Sequence, residues 1–334
     1  MARLFIFNCS NDMALASGAA EYMPPKSVAR MEEMYSGLPL FVADEGDVAL
    51  APGELAIRDG FRQLCGRLPE PITEVCPWGW SKPMRNRLLR FGVPESMLPD
   101  VPTLDILRGL SSREFGAKYA EEFYARPTLA DIRHALVSNR MRYVSSADEL
   151  SLPDGTYIAK SPWSSSGRGN KVFAYGKEVT LTGFPRLIDR FYDKVLDFAM
   201  EFRVSATGTR YLGLSVFKAD REGRYEFNYV GSQTALAEKI RQAMSTTRQA
   251  TDHILSLITA THVSLIDNIV AGSYHGPLGI DMMVVNDAGT MRIHPIVELN
   301  FRMNMGILAL KAYQKYADRY PTISLRSMAD VVQA

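Results

Sequence analysis

The chain has 334 residues and a formal net charge of +1, with 38 Lys and Arg residues against 37 Asp and Glu residues. This length predicts two or three domains, with enough residues for sizeable buried cores. The balanced charge, without Lys/Arg-rich runs that carry interleaved aromatic residues, gives no long-range attraction for a polyanion, so we expect no nucleic-acid partner.

Cysteine content and hydropathy narrow the protein class further. Cys9, Cys65 and Cys76 form an odd number without CxxC spacing, which indicates neither a disulfide framework nor a zinc site. The apolar run near the N-terminus is shorter than a signal-peptide core. No apolar stretch approaches the about 20 residues of a membrane helix. We therefore expect a soluble, cytoplasmic protein without a membrane partner.

The first 110 residues alternate between apolar runs and polar loops. Runs at 4–7, 40–43 and 72–76 have the pattern of short buried strands. Their repetition with helical segments predicts a small parallel α/β domain. Ligands of such sheets bind at the carboxyl ends of strands, so the loops at 8–12 and 78–80 are candidate substrate contacts. A helix cap in the first loop and packing of two tryptophans in the second are the structural alternatives.

A candidate phosphate-binding loop lies in the middle of the chain. A β-type run at 156–159 ends at Lys160, and small residues follow. Such residues let backbone N–H groups approach a phosphate, while a lysine supplies a positive charge and an arginine a second one. The loop is not a Walker A motif, because the Gly-Lys-Ser/Thr ending and the following helix are missing. A flexible hairpin loop is the structural alternative. The loop consists of Ser164, Ser165, Ser166, Gly167, Arg168 and Gly169.

A candidate metal site lies on two predicted strands that are joined by a turn. Side chains alternate faces along a strand, so Glu298 and Asn300 point to the same side. Asp281 faces Glu298 across an antiparallel pair if the turn is centred between Gly289 and Thr290. Two carboxylates and an amide oxygen suit Mg²⁺ that is completed by water and nucleotide phosphates. Solvated acidic residues on a hairpin are the structural alternative.

The remaining patterns indicate structural roles. Residues 235–262 have the pattern of one long helix. The five histidines are dispersed, without metal-ligand spacing or a nucleophile nearby. We expect them to be structural, with His275 as the exception to test, because its loop leads into the strand that carries Asp281.

Four motifs together resemble the ATP-grasp superfamily in order and spacing. They are Lys160 with SSSGRG, Glu201 within AMEFRVS, the GID that ends at Asp281, and the ELNFRMNMG that begins at Glu298. The resemblance implies a fold of the α/β and α+β classes, in which two α+β subdomains enclose a nucleotide after a small parallel α/β domain. It covers roughly residues 110–310. The implied domains are an N-terminal α/β domain at 1–110, a small subdomain with the phosphate loop at 111–192, and a large subdomain with the metal site at 193–334.

The resemblance also implies a role for each matching residue. Lys160 corresponds to the phosphate-binding lysine at the end of a small-subdomain strand, and the loop at 164–169 to the flexible loop that closes over the phosphates. Arg302 resembles the arginine that meets the acyl phosphate or the substrate carboxylate. The metal ligands correspond to Asp281, Glu298 and Asn300.

The nucleotide-binding hinge of the family corresponds to Asp189 and Phe191, whose acidic side chain and nearby backbone would hold adenine. Glu201 would lie near ribose and phosphates. Two positions depart from the family pattern. Arg113 stands in place of a second phosphate-binding lysine, with Lys118 as the other candidate, and arginine is not a free substitute for lysine. Asp189 replaces the commoner glutamate.

The reaction implied by the resemblance is carboxylate activation. ATP and Mg²⁺, or Mn²⁺ in its place, would convert a substrate carboxylate to an acyl phosphate, from which an amine displaces phosphate. The expected partners are a small-molecule carboxylate and an amine, and a homodimer is consistent with the resemblance. Three alternatives stay open, namely a small-molecule kinase with the same ATP site, a nucleotide-binding protein without catalysis, and a purely structural α/β protein.

Overall fold

The computed structural model of the chain describes residues 2–50, 62–64, 71–138, 141–164, 169–176, 181–220, 223–316 and 319–324. Four residues of the predicted phosphate loop, Ser165, Ser166, Gly167 and Arg168, lie outside the described residues. No helix within these stretches is both long and apolar enough to cross a membrane.

The N-terminal domain is built on a parallel sheet. Its strands are β1 (Ala2–Ile6), β2 (Val48–Leu50), β3 (Arg62–Leu64) and β4 (Ile72–Pro77). They lie in the order β3-β2-β1-β4, and every pairing is parallel. Because β1 and β4 are parallel neighbours, the loops that follow them leave the sheet at the same edge. Its helices are α1 (Asn11–Ser17), α2 (Lys26–Met34) and α3 (Lys82–Arg90).

The strand expected at residues 40–43 is wrong. The chain forms a 3₁₀ helix there, Leu38–Phe41, and the second strand begins only at Val48. Pro39 has a φ that suits a first helical turn and no N–H to donate to a strand. Leu38 and Phe41, three residues apart, are both buried. A short apolar run does not by itself distinguish a strand from a buried helical turn.

Two helices lead from this domain to the rest of the chain. They are α4 (Val101–Leu110) and α5 (Arg113–Tyr124). The side chains of Asp100 and Ser112 cap them by accepting hydrogen bonds from the backbone N–H groups of Thr103 and Phe115. A 3₁₀ helix at Pro127–Ala135 follows. The buried side chains of these helices share one core with the large sheet described below.

A small antiparallel sheet follows. Its strands are β5 (Arg142–Val144), β6 (Gly155–Lys160), β7 (Lys171–Tyr175) and β8 (Arg186–Arg190), in the order β5-β8-β6-β7. Its own core contains Val144, Tyr157, Phe173 and Ile188. Lys160 is the last residue of β6, as the sequence predicts.

A six-stranded antiparallel sheet forms the centre of the large lobe. Its strands are β9 (Asp193–Ser205), β10 (Gly208–Ala219), β11 (Tyr225–Tyr229), β12 (Gly276–Asp287), β13 (Thr290–Asn300) and β14 (Thr322–Ile323). Their order is β13-β12-β9-β10-β11-β14. Phe198, Met200 and Phe202 on one face are fully buried and share a core with two helices, α6 (Gln233–Met244) and α7 (Arg248–Ile269). The opposite face carries Glu201 and contacts α8 (Met305–Tyr316).

The helical pattern expected over residues 235–262 is confirmed, but it belongs to two separate helices, α6 and α7. Ser245 adopts a left-handed backbone conformation with φ 51° and ends α6. The Thr247 side chain then caps α7 by accepting a hydrogen bond from the Ala250 N–H.

The predicted fold class is confirmed, because a parallel α/β domain precedes two antiparallel sheets with helices. The proposed division at 110/111 falls between α4 and α5, and that at 192/193 falls between β8 and β9. The segment 111–192 contributes to the core of the large sheet, to a smaller cluster with Val285 on β12, and to a separate core within the small sheet. Its boundaries stay a prediction.

Candidate active site

The pairing of Asp281 with Glu298, which the metal site requires, is confirmed. The predicted turn centre is wrong by one residue, because Asp287 pairs with Thr290 and the turn lies at 288–289. A bulge restores the pairing. Between the pair Met283–His294 and the pair Asp281–Glu298, β12 has one residue and β13 has three.

The bulge in β13 has a local cause. Its residues are Pro295, Ile296 and Val297, and proline has no N–H for the strand ladder. Side chains alternate with a period of two, so two additional residues leave Glu298 on the face that it would otherwise occupy. The site therefore tolerates the shifted turn.

Four of the predicted site residues form two adjacent rows on one face of the large sheet. One row runs from Asn300 across Gly279 to Glu201. The next runs from Glu298 across Asp281 and Ala199 to Ser215. Direct cross-strand partners lie side by side on the same face. Four strands thus supply one polar surface.

Asp281, Glu298 and Asn300 fit a hard divalent cation. The Asn300 side-chain N–H donates to Asp281 Oδ2 over 3.0 Å, which leaves the amide oxygen available. Burial, and then the neighbouring charges of Glu298 and Glu201, raise the pKa of Asp281 to about 8. A cation between the carboxylates would offset this repulsion. No group of three or more His, Cys, Asp and Glu side chains in the described stretches could hold a metal, so water and phosphate oxygens would have to complete the coordination of this set.

Glu201 is part of that surface and is held in place by hydrogen bonds. Its two carboxylate oxygens accept hydrogen bonds of 2.8 Å from the Ser215 hydroxyl and the Asn304 side-chain N–H. Burial raises its pKa to about 7. A Cβ atom at Gly279 or Gly306 would collide with this carboxylate, so the two glycines make room for it. Asn304 was missed by sequence reasoning, although it lies within the ELNFRMNMG motif.

Lys160 lies in a buried charged cluster between the two sheets. Its ammonium contacts Asp189 Oδ2 at 3.5 Å and donates to the Val297 carbonyl at 3.4 Å. His294 Nε2 lies 3.4 Å from Asp189 Oδ1. Burial alone would raise the pKa of Asp189, but His294 and Lys160 outweigh burial and bring it to about 2. His294, expected to be merely structural, thus connects β13 to the predicted hinge.

The predicted hinge lies where β8 passes into β9. Phe191 is 43% exposed, and its N–H donates to the Thr156 carbonyl over 2.9 Å. The adenine-binding role of Asp189 and Phe191 stays a prediction.

Arg113, rather than Lys118, reaches the site. The guanidinium of Arg113 contacts Glu298 Oε1 at 2.7 Å, and its side chain is 9% exposed. Lys118 is 69% exposed and pairs with Glu114 one helical turn away. The N–H of Arg113 also donates to the carbonyl of Pro162, over 2.8 Å, just before the phosphate loop. The amino end of α5 therefore joins Glu298, a predicted metal ligand, to the start of the predicted phosphate loop.

The start of the predicted phosphate loop is anchored by two residues that the sequence patterns did not mark. The Trp163 indole N–H donates to the Arg108 carbonyl over 3.0 Å, and the Arg108 guanidinium lies 4.0 Å from the centre of the indole ring. Arg108 Nε also donates to the Leu15 carbonyl at the end of α1 over 2.6 Å. Ser164 lines a small cavity with Glu298 and other residues of the site. A tryptophan beside a run of small residues was the available signal.

Gly169, at the far end of the loop, accepts hydrogen bonds at its carbonyl from the Arg186 guanidinium over 3.1 Å and from the Ser161 hydroxyl over 3.5 Å. These contacts tie it to β8 and to the start of the loop. Its phosphate role stays a prediction.

The polar surface that carries Asp281, Glu298 and Asn300 opens into a cavity of about 250 Å³. Phe7, Cys9, Asp12 and Trp78 of the N-terminal domain form the opposite wall. Both loops that the sequence marked as candidate substrate contacts therefore line this cavity. The side chain of Asn8 joins the loops, since it donates to the Gly79 carbonyl over 2.8 Å and accepts from the Gly79 N–H over 3.2 Å.

None of the protein-family models and none of the curated proteins that were compared with the chain match it. Solved structures of other proteins do resemble the chain. N5-carboxyaminoimidazole synthetase from Staphylococcus aureus is 9% identical, with a TM-score of 0.44 over 93% of this chain and 77% of that one. L-amino acid ligase from Bacillus licheniformis is 13% identical, with a TM-score of 0.42 over 92% and 68%.

A third structure, carboxyaminoimidazole ribonucleotide synthase from Aspergillus clavatus complexed with ATP, is 10% identical. Its TM-score is 0.46 over 98% of this chain and 78% of that one. Similarity at this level concerns the course of the chain and carries no information on substrates.

Proposed function

We propose that the protein is an ATP-dependent ligase of the ATP-grasp type, which activates a substrate carboxylate as an acyl phosphate and joins it to an amine. The observation that carries the proposal is the convergence of Asp281, Glu298 and Asn300 on one sheet face. That face opens into a cavity shared with the N-terminal domain. Lys160 and Arg113 lie at its edge, where nucleotide phosphates would meet a metal.

The nucleotide would bind between the two antiparallel sheets. The phosphates would be held by Lys160, Arg113 and the loop at 164–169. Adenine would contact Asp189 and Phe191, and the ribose would lie near Glu201. Asp281, Glu298 and Asn300 would hold Mg²⁺, or Mn²⁺, which when bound offsets charge on the phosphate oxygens. In this arrangement, Arg113 would exchange part of its contact with Glu298 for a phosphate oxygen.

The chemistry needs positioned charges rather than a strong base. A carboxylate oxygen of the substrate attacks the γ-phosphorus, and the bond to the ADP oxygen breaks. Arg302, at the end of β13, would stabilise the acyl phosphate. The amine then attacks the acyl carbon, the carbon–oxygen bond to phosphate breaks, and the amine loses a proton to phosphate or water. The products are an amide, ADP and phosphate.

Calorimetric titration with ATP, with and without Mg²⁺, tests the site. We expect Mg²⁺-dependent binding by the wild type, and a loss of affinity of tenfold or more in Asp281→Asn and Glu298→Gln. Glu226→Gln is the matched control, because this carboxylate is 41% exposed and pairs with Lys218 away from the site. The site assignment is wrong if the wild type binds no ATP, or if the site variants bind ATP as the control does.

Product analysis tests the reaction. A panel of small carboxylates and amines should contain a pair that releases ADP and phosphate and yields an amide. A phosphorylated product without amide would identify a kinase instead. Nucleotide binding without any substrate-dependent ADP release would identify a binding protein. A cytoplasmic location and a homodimer belong to the same proposal.

A further inference from the structure

A second and larger cavity adjoins the site and is rich in positive charge. Its volume is about 420 Å³, and it lies between the N-terminal sheet and the far end of the large sheet. Trp78 and Arg302 line both cavities and separate them. Glu74 is its one acidic lining residue among the residues that the structure describes. Its basic lining residues are Arg3, Arg203, Arg210, His275, Arg302 and Lys311.

The positive charge of this basic cavity is incompletely neutralised. Arg3 pairs with Asp47, Arg302 with Asp12, and Arg203 more loosely with Glu74 at 3.4 Å. The structure shows no ion pair or hydrogen bond from the side chains of Arg210 and Lys311 to any described residue. The cavity therefore presents at least two solvent-exposed cations that no described residue neutralises.

The sheet places two of these cations side by side. Arg203 on β9 and Arg210 on β10 are direct cross-strand partners. As direct partners, they share a face, and Glu201, two residues before Arg203, lies on that face too. Like charges directly opposite one another destabilise a sheet. An anion between the two guanidinium groups would remove that repulsion and accept bidentate hydrogen bonds.

The remaining wall of the basic cavity is mostly apolar. Its aromatic members are Phe5, Trp78, Trp80, Tyr274 and Phe301. Aromatic walls with a few charged groups are typical of sites for small organic molecules. A ligand with an anionic group and an apolar or ring-shaped body fits this lining better than a bare inorganic ion.

We infer that the basic cavity binds the anionic group, a phosphate or a second carboxylate, of one of the two organic substrates. The substrate then extends past Trp78 and Arg302 into the metal-site cavity. That the ligand is a substrate rests on the proposed function. That the cavity binds an anion does not depend on the proposed function. Arg210 and Lys311 determine which substrates are accepted.

Calorimetric titration with inorganic phosphate and with succinate, in the presence of saturating MgADP, tests the inference. We expect the wild type to bind one or both anions, and Arg210→Gln and Lys311→Gln each to weaken binding about tenfold. Arg248→Gln is the matched control, because its side chain is 73% exposed at the start of α7. The tighter of the two probes identifies the anionic group.

The two failures are distinguishable because the affinity for ADP is measured separately. Failure of the wild type to bind either anion, or equal binding by the double variant Arg210→Gln/Lys311→Gln, overturns the anion site whatever the nucleotide result. If the protein binds an anion through Arg210 and Lys311 but binds no ADP, the anion site is supported and the proposed ligase function is wrong. Unchanged ADP affinity in the double variant shows that the two sites are separate.

Discussion

The guanidinium of Arg302 holds the carboxylate of Asp12 through three contacts of 3.0 to 3.1 Å, although the two residues are 290 positions apart. Arg302 follows the last site strand of the large sheet, and Asp12 lies in the first turn of α1 in the N-terminal domain. Both side chains are largely buried, at 17% and 18% exposure. This ion pair joins the candidate substrate loop to the arginine that is proposed to stabilise the acyl phosphate.

Asp12→Asn should impair the positioning of the substrate much more than the binding of the nucleotide. The variant removes the charge that orients Arg302, so we expect kcat/KM for the carboxylate substrate to fall about tenfold or more. The affinity for MgATP should change much less than kcat/KM, because the side chain of Asp12 contacts Arg302 and, among the described residues, neither Lys160 nor Arg113. The free energy of unfolding should fall by about 2 kcal/mol. Steady-state kinetics, calorimetry and urea unfolding measure the three quantities.

The control for this variant is Asp44→Asn in the same domain. Asp44 also pairs with an arginine, Arg3, but its side chain is 75% exposed, so the loss of stability should stay below about 1 kcal/mol and activity should be unchanged. Equal effects of Asp12→Asn and Asp44→Asn would contradict the proposed role of the Asp12–Arg302 pair.

Arg113→Gln and Lys118→Gln form a matched pair that tests which residue replaces the second phosphate-binding lysine. Arg113→Gln removes a buried cation beside Glu298, and we expect the Kd for MgATP to rise about tenfold or more. Lys118→Gln removes only an exposed pair with Glu114, so its Kd should stay within about twofold of the wild type. The opposite ranking in calorimetry would reassign the role to Lys118.

Sequence reasoning succeeded where a local rule determines the geometry. Lys160 ends a strand, and Asp281 faces Glu298 even though the turn lies one residue earlier than expected. The second prediction survived because a bulge of two residues preserves the alternation of faces. The prediction of a strand at 40–43 was wrong because the apolar pattern carries no information on the effect of Pro39 on the backbone.

Contacts between elements that are distant in sequence could not be predicted from such local rules. The pair Arg302–Asp12 joins two domains, and the cluster of Lys160, Asp189 and His294 draws its members from three strands in two sheets. No spacing along the chain encodes these approaches, because they depend on how the sheets pack. His294 was therefore expected to be structural, although it contacts the predicted hinge.

Asp189→Asn tests whether this buried cluster is structural, functional or both. The substitution leaves the Lys160 ammonium without its carboxylate, and breaking a buried pair in this way should lower the free energy of unfolding by about 3 kcal/mol. The double variant Asp189→Asn/Lys160→Met should regain part of that stability, because the unpaired charge is gone, yet bind MgATP at least about tenfold more weakly than the wild type. Asp193→Asn, an exposed carboxylate at the start of β9, is the control.

Urea unfolding and ATP titration of the three variants decide between the roles. A double variant that binds ATP as the wild type does would remove Lys160 from the phosphate site. A single variant as stable as Asp193→Asn would show that the Lys160–Asp189 contact does not stabilise the fold.

His262 should make the fold sensitive to moderately acidic pH. Its side chain is fully buried between α7 and α5, where the Tyr119 hydroxyl lies 3.0 Å from Nδ1. Burial lowers the pKa of His262 from 6.5 to about 3, so the folded state keeps this imidazole neutral. The unfolded state binds the additional proton below pH 6.5, and stability should therefore fall by up to about 1.4 kcal/mol per pH unit as the pH drops from 6.5 toward 3. Above pH 6.5, this residue contributes no pH dependence.

Urea unfolding at pH 7.5, 6 and 5 should show a shallower decline in His262→Gln than in the wild type, whereas His253→Gln, the control on the same helix, should retain the wild-type slope. Equal slopes in all three proteins would show that His262 is not held neutral by the fold.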